Sequence, residues 1–391
     1  MNGGADKRRN VFIVANNVEE IGGVQRVVHA VAAGLAARGH RVELIGVGPG
    51  AGSRKLRPGA GYVTVTLGRG EPAPWEPRSF PDYIHPSEVA REVLRRVLHR
   101  RHVKRLQQLF AEVDSGIVIV AQVWAMRWVA DADTRHLKVV GMSHESFEAS
   151  HVLQPGTTGP SRYERVRRLY RDLDAVLLLT DADADKWRQE GLPNVQVMPN
   201  PLPLWPDRVS QLTAPVVVAI GRLEPEKRYD LLVAAWRLLR DRHPQWQLRI
   251  YGEGSLHADL EQEIARAHLQ DGVQLMGPTD DVAAALMGAS ALALSSDREG
   301  LPLVLLEAMA CGVPCVAVDC APGIRQIIDD GVDGIVVPPG DAGALADGLE
   351  RVISNPELRT ALGSAARRSV ASLQVDAVAQ RWERLFDELL G

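Results

Sequence analysis

The sequence has little cysteine and no long apolar run. Its three cysteines, Cys311, Cys315 and Cys320, are odd in number and fall within ten residues of the chain. Their spacing fits no zinc-binding pattern, so we interpret them as reduced residues that pack in the interior. The first apolar run, Val11 to Ala15, follows a polar start and is too short for a signal-peptide core or a membrane span. We therefore expect a cytoplasmic protein.

A strong excess of charge of either sign is also missing. The formal net charge is −4 at pH 7, which argues against a general nucleic-acid binder. No G-x-G-x-x-G stretch is present, so the fingerprint of a dinucleotide-binding site is lacking. What is present is enough chain for two domains with sizeable cores, since 46% of the 391 residues are hydrophobic.

The segment from Ala291 to Cys320 carries the clearest local pattern. It predicts a buried strand at Ala291–Leu294, a helix that begins at Pro302, and a second strand at Pro314–Asp319. Such a strand–loop–helix–strand unit belongs to a parallel sheet. Ligands of these sheets bind outside the carboxyl ends of the strands, where the loop Asp297–Leu301 is expected to lie.

Two carboxylates frame this loop. Glu299 lies just before the predicted helix, and Glu307 lies within its apolar sequence. An ionised carboxylate in a poorly solvated place needs hydrogen-bond donors, and a ribose diol supplies two. The free amides at the helix start suit a phosphate or sugar oxygen. In the alternative interpretation Glu307 is a half-exposed helix residue and Glu299 a loop charge, and the pair taken alone favours that alternative.

The same stretch resembles a known family. Glu299-Gly300, then Pro302, then the run EAMACG from Glu307 to Gly312, is similar to the EG-x6-E signature of family-4 retaining glycosyltransferases. The resemblance implies an α/β protein of GT-B fold, with two Rossmann-like domains facing across a cleft. It also implies that Glu299 contacts the donor sugar and that Glu307 holds the ribose of the nucleotide.

A second motif follows the predicted strand Val216–Ile220. The stretch GRLEPEK, from Gly221 to Lys227, resembles the GRL-x3-K motif of the same family. Arg222 and Lys227 would place two cations on one diphosphate; the alternative is ordinary surface charge. The resemblance assigns further donor contacts to the loop, the helix-start amides and a strand end that receives the base, namely Gly300, Leu301, Leu303, Met276 and Gly277.

The N-terminal half contributes weaker signals. The pair Gly22-Gly23 resembles the loop that faces the donor phosphates in these enzymes, although a plain tight turn would look the same. His144 follows the predicted strand Val139–Met142, and the resemblance gives it a contact with the donor sugar, whereas a lone histidine is usually structural. Gln122 and Trp124 follow another strand and are candidates for lining the acceptor pocket.

The segment Ser87–Phe110 predicts a helix with an apolar stripe and many basic residues. The stripe consists of Val89, Val93, Leu94, Val97 and Leu98, and the cations are Arg91, Arg95, Arg96, Arg100, Arg101, Lys104 and Arg105. A second basic run spans Arg162 to Arg171. Such a helix indicates an anionic membrane surface or an anionic acceptor, and equally a solvated helix covered by long arginine stems.

Together with these patterns, the family resemblance implies a retaining, metal-independent hexosyltransferase that moves a sugar from a UDP-sugar to a cell-envelope acceptor, either an anionic polymer or a lipid-linked glycan. We expect an acceptor-side domain at 1–203 with the final helix, 374–391, packing back on it, and a donor domain at 204–373. No cofactor, metal or nucleic acid is expected, and the protein could sit peripherally at the inner membrane face. A sugar phosphorylase, a nucleotide-sugar epimerase and a catalytically silent binding subunit remain as alternatives.

Overall fold

The computed structural model describes residues 8–50, 55–56, 58–68, 86–152 and 160–391, without the side chains at 86–89 and 91. The chain folds into two compact units. Unit 1 contains Met1–Pro201 and Val375–Gly391, and unit 2 contains Leu202–Gln374. The chain therefore passes from one unit to the other twice.

Unit 1 is built on a seven-stranded parallel sheet. Its strands are β1 (Asn10–Ala15), β2 (Arg41–Gly46), β3 (Val63–Thr66), β4 (Gly116–Val120), β5 (Leu137–Met142), β6 (Ala175–Leu178) and β7 (Val195–Val197). Their order is β3-β2-β1-β4-β5-β6-β7, so the direction of the crossovers reverses between β1 and β4. Every residue of β4 is buried, as expected for a strand covered on both faces by helices.

In the described part of unit 1, six helices precede the first crossing. They are α1 (Gly23–Ala37), α2 (Pro86–Phe110), α3 (Met126–Ala130), α4 (Phe147–His151), α5 (Arg162–Leu169) and α6 (Asp181–Gln189). Serine and threonine cap several of them, since Ser146, Ser161 and Thr180 each accept a backbone amide of the first turn. The short helices follow β4, β5 and β6, so each of them begins near the carboxyl edge of the sheet.

Unit 2 repeats the plan with a six-stranded parallel sheet. Its strands are β8 (Val216–Ile220), β9 (Gln247–Tyr251), β10 (Val273–Gly277), β11 (Ala291–Leu294), β12 (Cys315–Val318) and β13 (Gly334–Val337). Its helices are α7 (Tyr229–Leu239), α8 (His257–Arg266), α9 (Val282–Met287), α10 (Leu303–Ala310), α11 (Pro322–Ile327), α12 (Ala342–Ser354) and α13 (Pro356–Ser369). The strand order β10-β9-β8-β11-β12-β13 reverses between β8 and β11.

The final helix, α14 (Val375–Leu390), returns to unit 1 and packs against α1. Its apolar stripe is buried, with Trp382 fully covered. Arg38 at the end of α1 contacts Asp376 at 2.6 Å and Glu383 at 2.8 Å. The spacing of apolar residues along α14 is what predicts this helix from the sequence.

The predicted α/β architecture of two Rossmann-like sheets is confirmed. Helix α10 begins at Leu303, one residue after the predicted start, because Pro302 keeps an extended backbone (ψ 110°) and serves as the N-cap. Two strands escaped prediction, β6 and β13. Both are four-residue apolar runs, and periodicity cannot distinguish so short a run from a buried helical turn.

The cysteines take the places expected of packing residues. Cys311 and Cys315 are buried, Cys320 is partly buried, and all three are free thiols. Burial, together with the nearby Glu307 carboxylate, raises the pKa of the Cys311 thiol to about 12. A thiol with so high a pKa is unreactive at neutral pH, which fits a structural role.

Candidate active site

The site in unit 2 is formed by the two loops that follow β8 and β11, the neighbouring strands at which the strand order reverses. Two hydrogen bonds to backbone carbonyls of the first loop connect the two loops. The Asp297 amide donates to the Glu226 carbonyl at 2.8 Å, and the Ser295 hydroxyl donates to the Lys227 carbonyl at 2.8 Å. A reversal of strand order opens a crevice at the carboxyl edge of a parallel sheet, which is where ligands bind.

Lys227 and Glu299 meet at the centre of this edge. The Lys227 ammonium lies 2.7 Å from Oε1 of Glu299, and the side chains are only 21% and 11% exposed. The Ser296 hydroxyl, itself buried, donates to the same carboxylate oxygen at 2.7 Å. The structure therefore brings together two residues that lie 72 positions apart, and it adds Ser296, which sequence reasoning missed.

Arg222 takes a different position. Its side chain is 72% exposed and its guanidinium contacts Glu226 at 2.7 Å, on the outside of the loop. The inward ion pair thus contains Lys227 but not Arg222. A second arginine, Arg228, lies between Asp230 and Asp297 with a left-handed backbone, φ 49°. A positive φ is uncommon outside glycine, so this loop is held in a shape that the sequence alone did not indicate.

Glu307 lies in the middle of α10 and is 1% exposed. The alternative interpretation of a half-exposed helix residue is therefore wrong. Leu301 and Leu303, on either side of the helix start, are also buried. A Cβ atom on Gly323 would lie 1.9 Å from the carbonyl oxygen of Gly300, so the start of α11 presses directly on the loop and fixes it.

Two glycines let a third loop approach the site. A Cβ on Gly252 would lie 1.8 Å from the Gly221 carbonyl, and one on Gly254 would lie 2.4 Å from the Leu223 carbonyl. The G-x-G after β9 therefore serves close backbone contact with the loop after β8. This explains a glycine pair that lacks the third glycine of a dinucleotide site.

Met276 and Gly277 end the edge strand β10. The pairing with β9 shifts register between Leu275 and Gly277, and Gly277 has φ 69°. The Met276 side chain is 42% exposed, and the Gly277 carbonyl accepts the Gly252 amide at 2.9 Å. The register shift and the positive φ make this end of β10 irregular.

In unit 1, Gly22 and Gly23 open helix α1, with Gly22 as the N-cap. A Cβ on Gly22 would lie 2.5 Å from Oε1 of Gln25, a buried side chain that also donates to Asn17. A side chain at this position would displace the end of the Gln25 side chain and disturb its hydrogen bond to Asn17.

His144 stands after β5 with both ring nitrogens buried, and among the described residues neither makes a hydrogen bond of normal geometry. Burial lowers the pKa of His144 from 6.5 to about 4, although the Asn200 side chain and the Ala121 backbone partly oppose the shift. Asn200 is 4% exposed, and its Oδ1 likewise has no partner within the described chain. The sequence pattern did not single out Asn200 as a site residue.

The lowered pKa of His144 predicts a specific pH dependence of stability. Above pH 6.5 the ring is neutral in both folded and unfolded chains. Between pH 6.5 and about 4 the unfolded chain binds a proton at this ring that the folded chain does not bind. The free energy of unfolding therefore decreases as the pH decreases. In thermal unfolding, His144→Gln should therefore lose less Tm across that window than the wild type. His257→Gln, at a half-exposed histidine, is the matched control; parallel curves for His144→Gln and wild type would contradict the assignment.

Gln122 and Trp124 follow β4, as predicted. Oε1 of Gln122 accepts the Asn16 backbone amide at 3.1 Å, so this side chain ties the loops after β1 and β4 together. Trp124 is 40% exposed and carries the Arg165 guanidinium over its ring at 3.8 Å. Of the two, only Trp124 presents a large side chain to solvent.

No group of three or more histidine, cysteine, aspartate or glutamate side chains is arranged to hold a metal ion in the part of the chain that the structure describes. Over the same residues, no helix is both long and apolar enough to cross a membrane.

Known protein families and known relatives match both halves of the chain. Residues 21–205 match the family model described as Glycosyltransferase Family 4, and residues 206–369 match the one described as Glycosyl transferases group 1. A glycosyltransferase of Haemophilus influenzae, described as uncharacterized, is 26% identical over 379 residues, 96% of this chain and 99% of that protein. An exopolysaccharide phosphotransferase of Streptomyces coelicolor is 32% identical over 291 residues; the match takes in 73% of this chain but only 30% of that protein.

The fold has solved counterparts. A crystal structure of a Staphylococcus aureus TarM variant superimposes with a TM-score of 0.78 at 15% identity, covering 97% of this chain and 99% of that one. At 15% identity this similarity shows a shared fold and no more. With both halves matched by family models and the whole chain superimposing on a solved structure of the same fold, the chain belongs to the family-4 glycosyltransferases of GT-B fold.

Proposed function

We propose that the protein is a retaining glycosyltransferase that transfers a hexosyl group from a UDP-sugar to a cell-envelope glycan. The observation that carries the proposal is the ion pair of Lys227 and Glu299 at the carboxyl edge of β8 and β11, held by Ser296. A partly buried ammonium at a site of this kind is suited to a diphosphate, and the adjacent carboxylate is suited to sugar hydroxyls.

The chemistry we propose is electrostatic stabilisation of the leaving group. As the bond from the anomeric carbon to the diphosphate oxygen breaks, negative charge builds on the nucleotide, and Lys227 and Arg222 neutralise it. The acceptor hydroxyl attacks from the face that the nucleotide leaves, so configuration is retained. Its proton passes to a phosphate oxygen of the departing UDP, and no enzymic nucleophile is required.

The buried carboxylate of Glu307 is proposed to bind the nucleotide. At 1% exposure it stands among the apolar residues of α10, where a carboxylate gains most from accepting hydrogen bonds from two hydroxyl groups. Gly300, Leu301 and Leu303 would present backbone amides to the donor, and Met276 with Gly277 would receive the base. The TarM crystal contains UDP, which supports the choice of nucleotide.

In unit 1 we propose that His144 and Asn200 bind sugar hydroxyl groups. Both ring nitrogens of His144 and Oδ1 of Asn200 lack hydrogen bonds of normal geometry within the described chain, and hydroxyl groups can both donate and accept. Because the pKa of His144 is about 4, the ring is neutral at physiological pH and suits an uncharged sugar better than a phosphate. Gly22 and Gly23 remain proposed phosphate-facing residues of the same unit.

The acceptor is proposed to be an anionic polymer or a lipid-linked glycan of the cell envelope, reached from the cytoplasm or the inner membrane face. Two similarities support this class. The Streptomyces relative is named for exopolysaccharide, and the TarM crystal holds fondaparinux and alpha-GlcNAc-glycerol beside UDP.

The test is UDP release from candidate UDP-sugars, with and without acceptor. A glycosyltransferase releases UDP much faster when the acceptor is added. A phosphorylase would instead split its glycan with phosphate and no nucleotide, and an epimerase would convert the UDP-sugar without acceptor. If the protein binds a UDP-sugar but releases no UDP with any acceptor of this class, the result would favour a catalytically silent binding subunit.

Charge neutralisation by side chains predicts that transfer does not need a divalent metal. The Asp-x-Asp pairs of the chain, at Asp131, Asp172 and Asp181–Asp185, all lie in unit 1 and outside the Lys227 site. Transfer rates should therefore be unchanged in excess chelator. Complete loss of activity that magnesium or manganese restores would contradict this prediction.

A further inference from the structure

The N-terminal half of α2 exposes aliphatic side chains. Val93 is 56% exposed, Leu94 50% and Val97 40%. Their spacing along the helix puts them on one face. These three residues of the predicted apolar stripe therefore do not pack into the core formed by the described residues; Val89 of that stripe and Arg91 lie outside the described side chains.

The same face continues into a basic region. Arg100, Arg101 and Lys104 are exposed and follow Val97 at intervals of three or four residues, on the outward side of α2. None of these three cations contacts a carboxylate of the described residues. From Val93 to Lys104 the face runs about 16 Å along the helix, at 1.5 Å per residue.

The opposite face of α2 fixes its orientation. His102, Val103, Leu106 and Phe110 are buried against unit 1, and Nε2 of His99 lies 2.7 Å from a carboxylate oxygen of Asp131. Because these anchors point inward, the aliphatic side chains on the far side cannot turn into the same core. The outward face is a permanent surface feature, aliphatic at one end and cationic at the other.

We propose that this outward face of α2 binds an anionic lipid membrane surface. Aliphatic side chains gain by entering the boundary between headgroups and acyl chains, and cations gain beside lipid phosphates. A polyanion without an apolar part would engage Arg100, Arg101 and Lys104 but leave Val93, Leu94 and Val97 in water. The exposed aliphatics therefore favour a lipid surface over a soluble anionic polymer. The inference does not depend on the donor chemistry proposed for unit 2.

The experiment is co-sedimentation of the full chain with phosphatidylcholine vesicles, with and without phosphatidylglycerol, at low salt. One variant changes Val93, Leu94 and Val97 to Gln, which keeps the charge and the helix propensity. A second changes Arg100, Arg101 and Lys104 to Gln. The matched control changes three exposed arginines of unit 2, Arg237, Arg266 and Arg351, to Gln, with the same loss of charge. Thermal unfolding checks the fold of each, and no nucleotide-sugar is needed.

We expect the wild type to bind vesicles that contain phosphatidylglycerol and to ignore neutral ones. Each α2 variant should lower the partition coefficient roughly tenfold or more, since membrane affinity needs both buried apolar area and attraction to anionic lipid, and the unit 2 control should bind like wild type. Absence of wild-type binding would overturn the inference. So would full binding by the aliphatic variant with loss only in the basic variant, especially if soluble polyphosphate then competes, because a polyanion site would explain that result.

Discussion

Lys227→Ala is expected to lower kcat by roughly 10²–10³, the scale for losing one preorganised charge-stabilising group. The ammonium is partly buried and is fixed by Glu299 at 2.7 Å, so it is already in place when charge develops on the leaving group. Arg222→Ala should lower kcat in the same direction but less, because a 72% exposed guanidinium is screened by water. The measurement is the initial rate of UDP release with acceptor at saturating donor.

Two controls separate catalysis from stability. Lys138→Ala removes a lysine that pairs with Asp174 at 3.0 Å in unit 1, and it should leave kcat unchanged. Lys227→Ala alone also leaves the Glu299 carboxylate without its ammonium, which costs stability. The double variant Lys227→Ala/Glu299→Gln removes that unpaired charge, so it should regain Tm without regaining turnover. Near-normal turnover in Lys227→Ala would refute the assignment.

Much of unit 2 could be predicted from the sequence because its local signals agree. The strand at Ala291–Leu294 is a short apolar run, Pro302 marks the helix start, and Gly312 has a positive φ after its end. The strand before Gly221 is a valine run of the same kind. Where propensity, turn residues and apolar pattern point to the same element, the fold follows from the chain alone.

The parts that sequence reasoning missed depend on how loops and helices pack in three dimensions, which the local pattern does not show. Ser296 acts on Glu299 only because the loop after β11 folds back on itself, and the sequence shows just a polar turn. For Glu307 the sequence left a buried and a half-exposed position open, and the packing of α10 decides for the buried one. In α2 the apolar residues lie on two different sides, and only packing shows which side faces the core.

The second large effect is expected for Glu307, because Glu307 and Glu299 are assigned to different parts of the donor, the nucleotide and the sugar. Glu307→Gln keeps the shape of the side chain but turns one acceptor oxygen into a donor. A hydrogen bond to a charged group contributes about 1.5–3 kcal/mol, so UDP and UDP-sugar should both bind about tenfold to a hundredfold more weakly. Calorimetric titration with UDP measures the effect. Glu350→Gln, which removes a carboxylate of α12 that contacts His243, is the matched control in the same unit.

Glu299→Gln should behave in the opposite way toward free UDP. The change removes a negative charge 2.7 Å from the Lys227 ammonium, and that ammonium is then available to the diphosphate. UDP binding should therefore be unchanged or tighter, while the affinity for the UDP-sugar and the rate of transfer both fall, because the sugar loses its carboxylate. Equal weakening of UDP binding by Glu299→Gln and Glu307→Gln would show that both carboxylates serve the nucleotide, and the assignment of Glu299 to the sugar would be wrong.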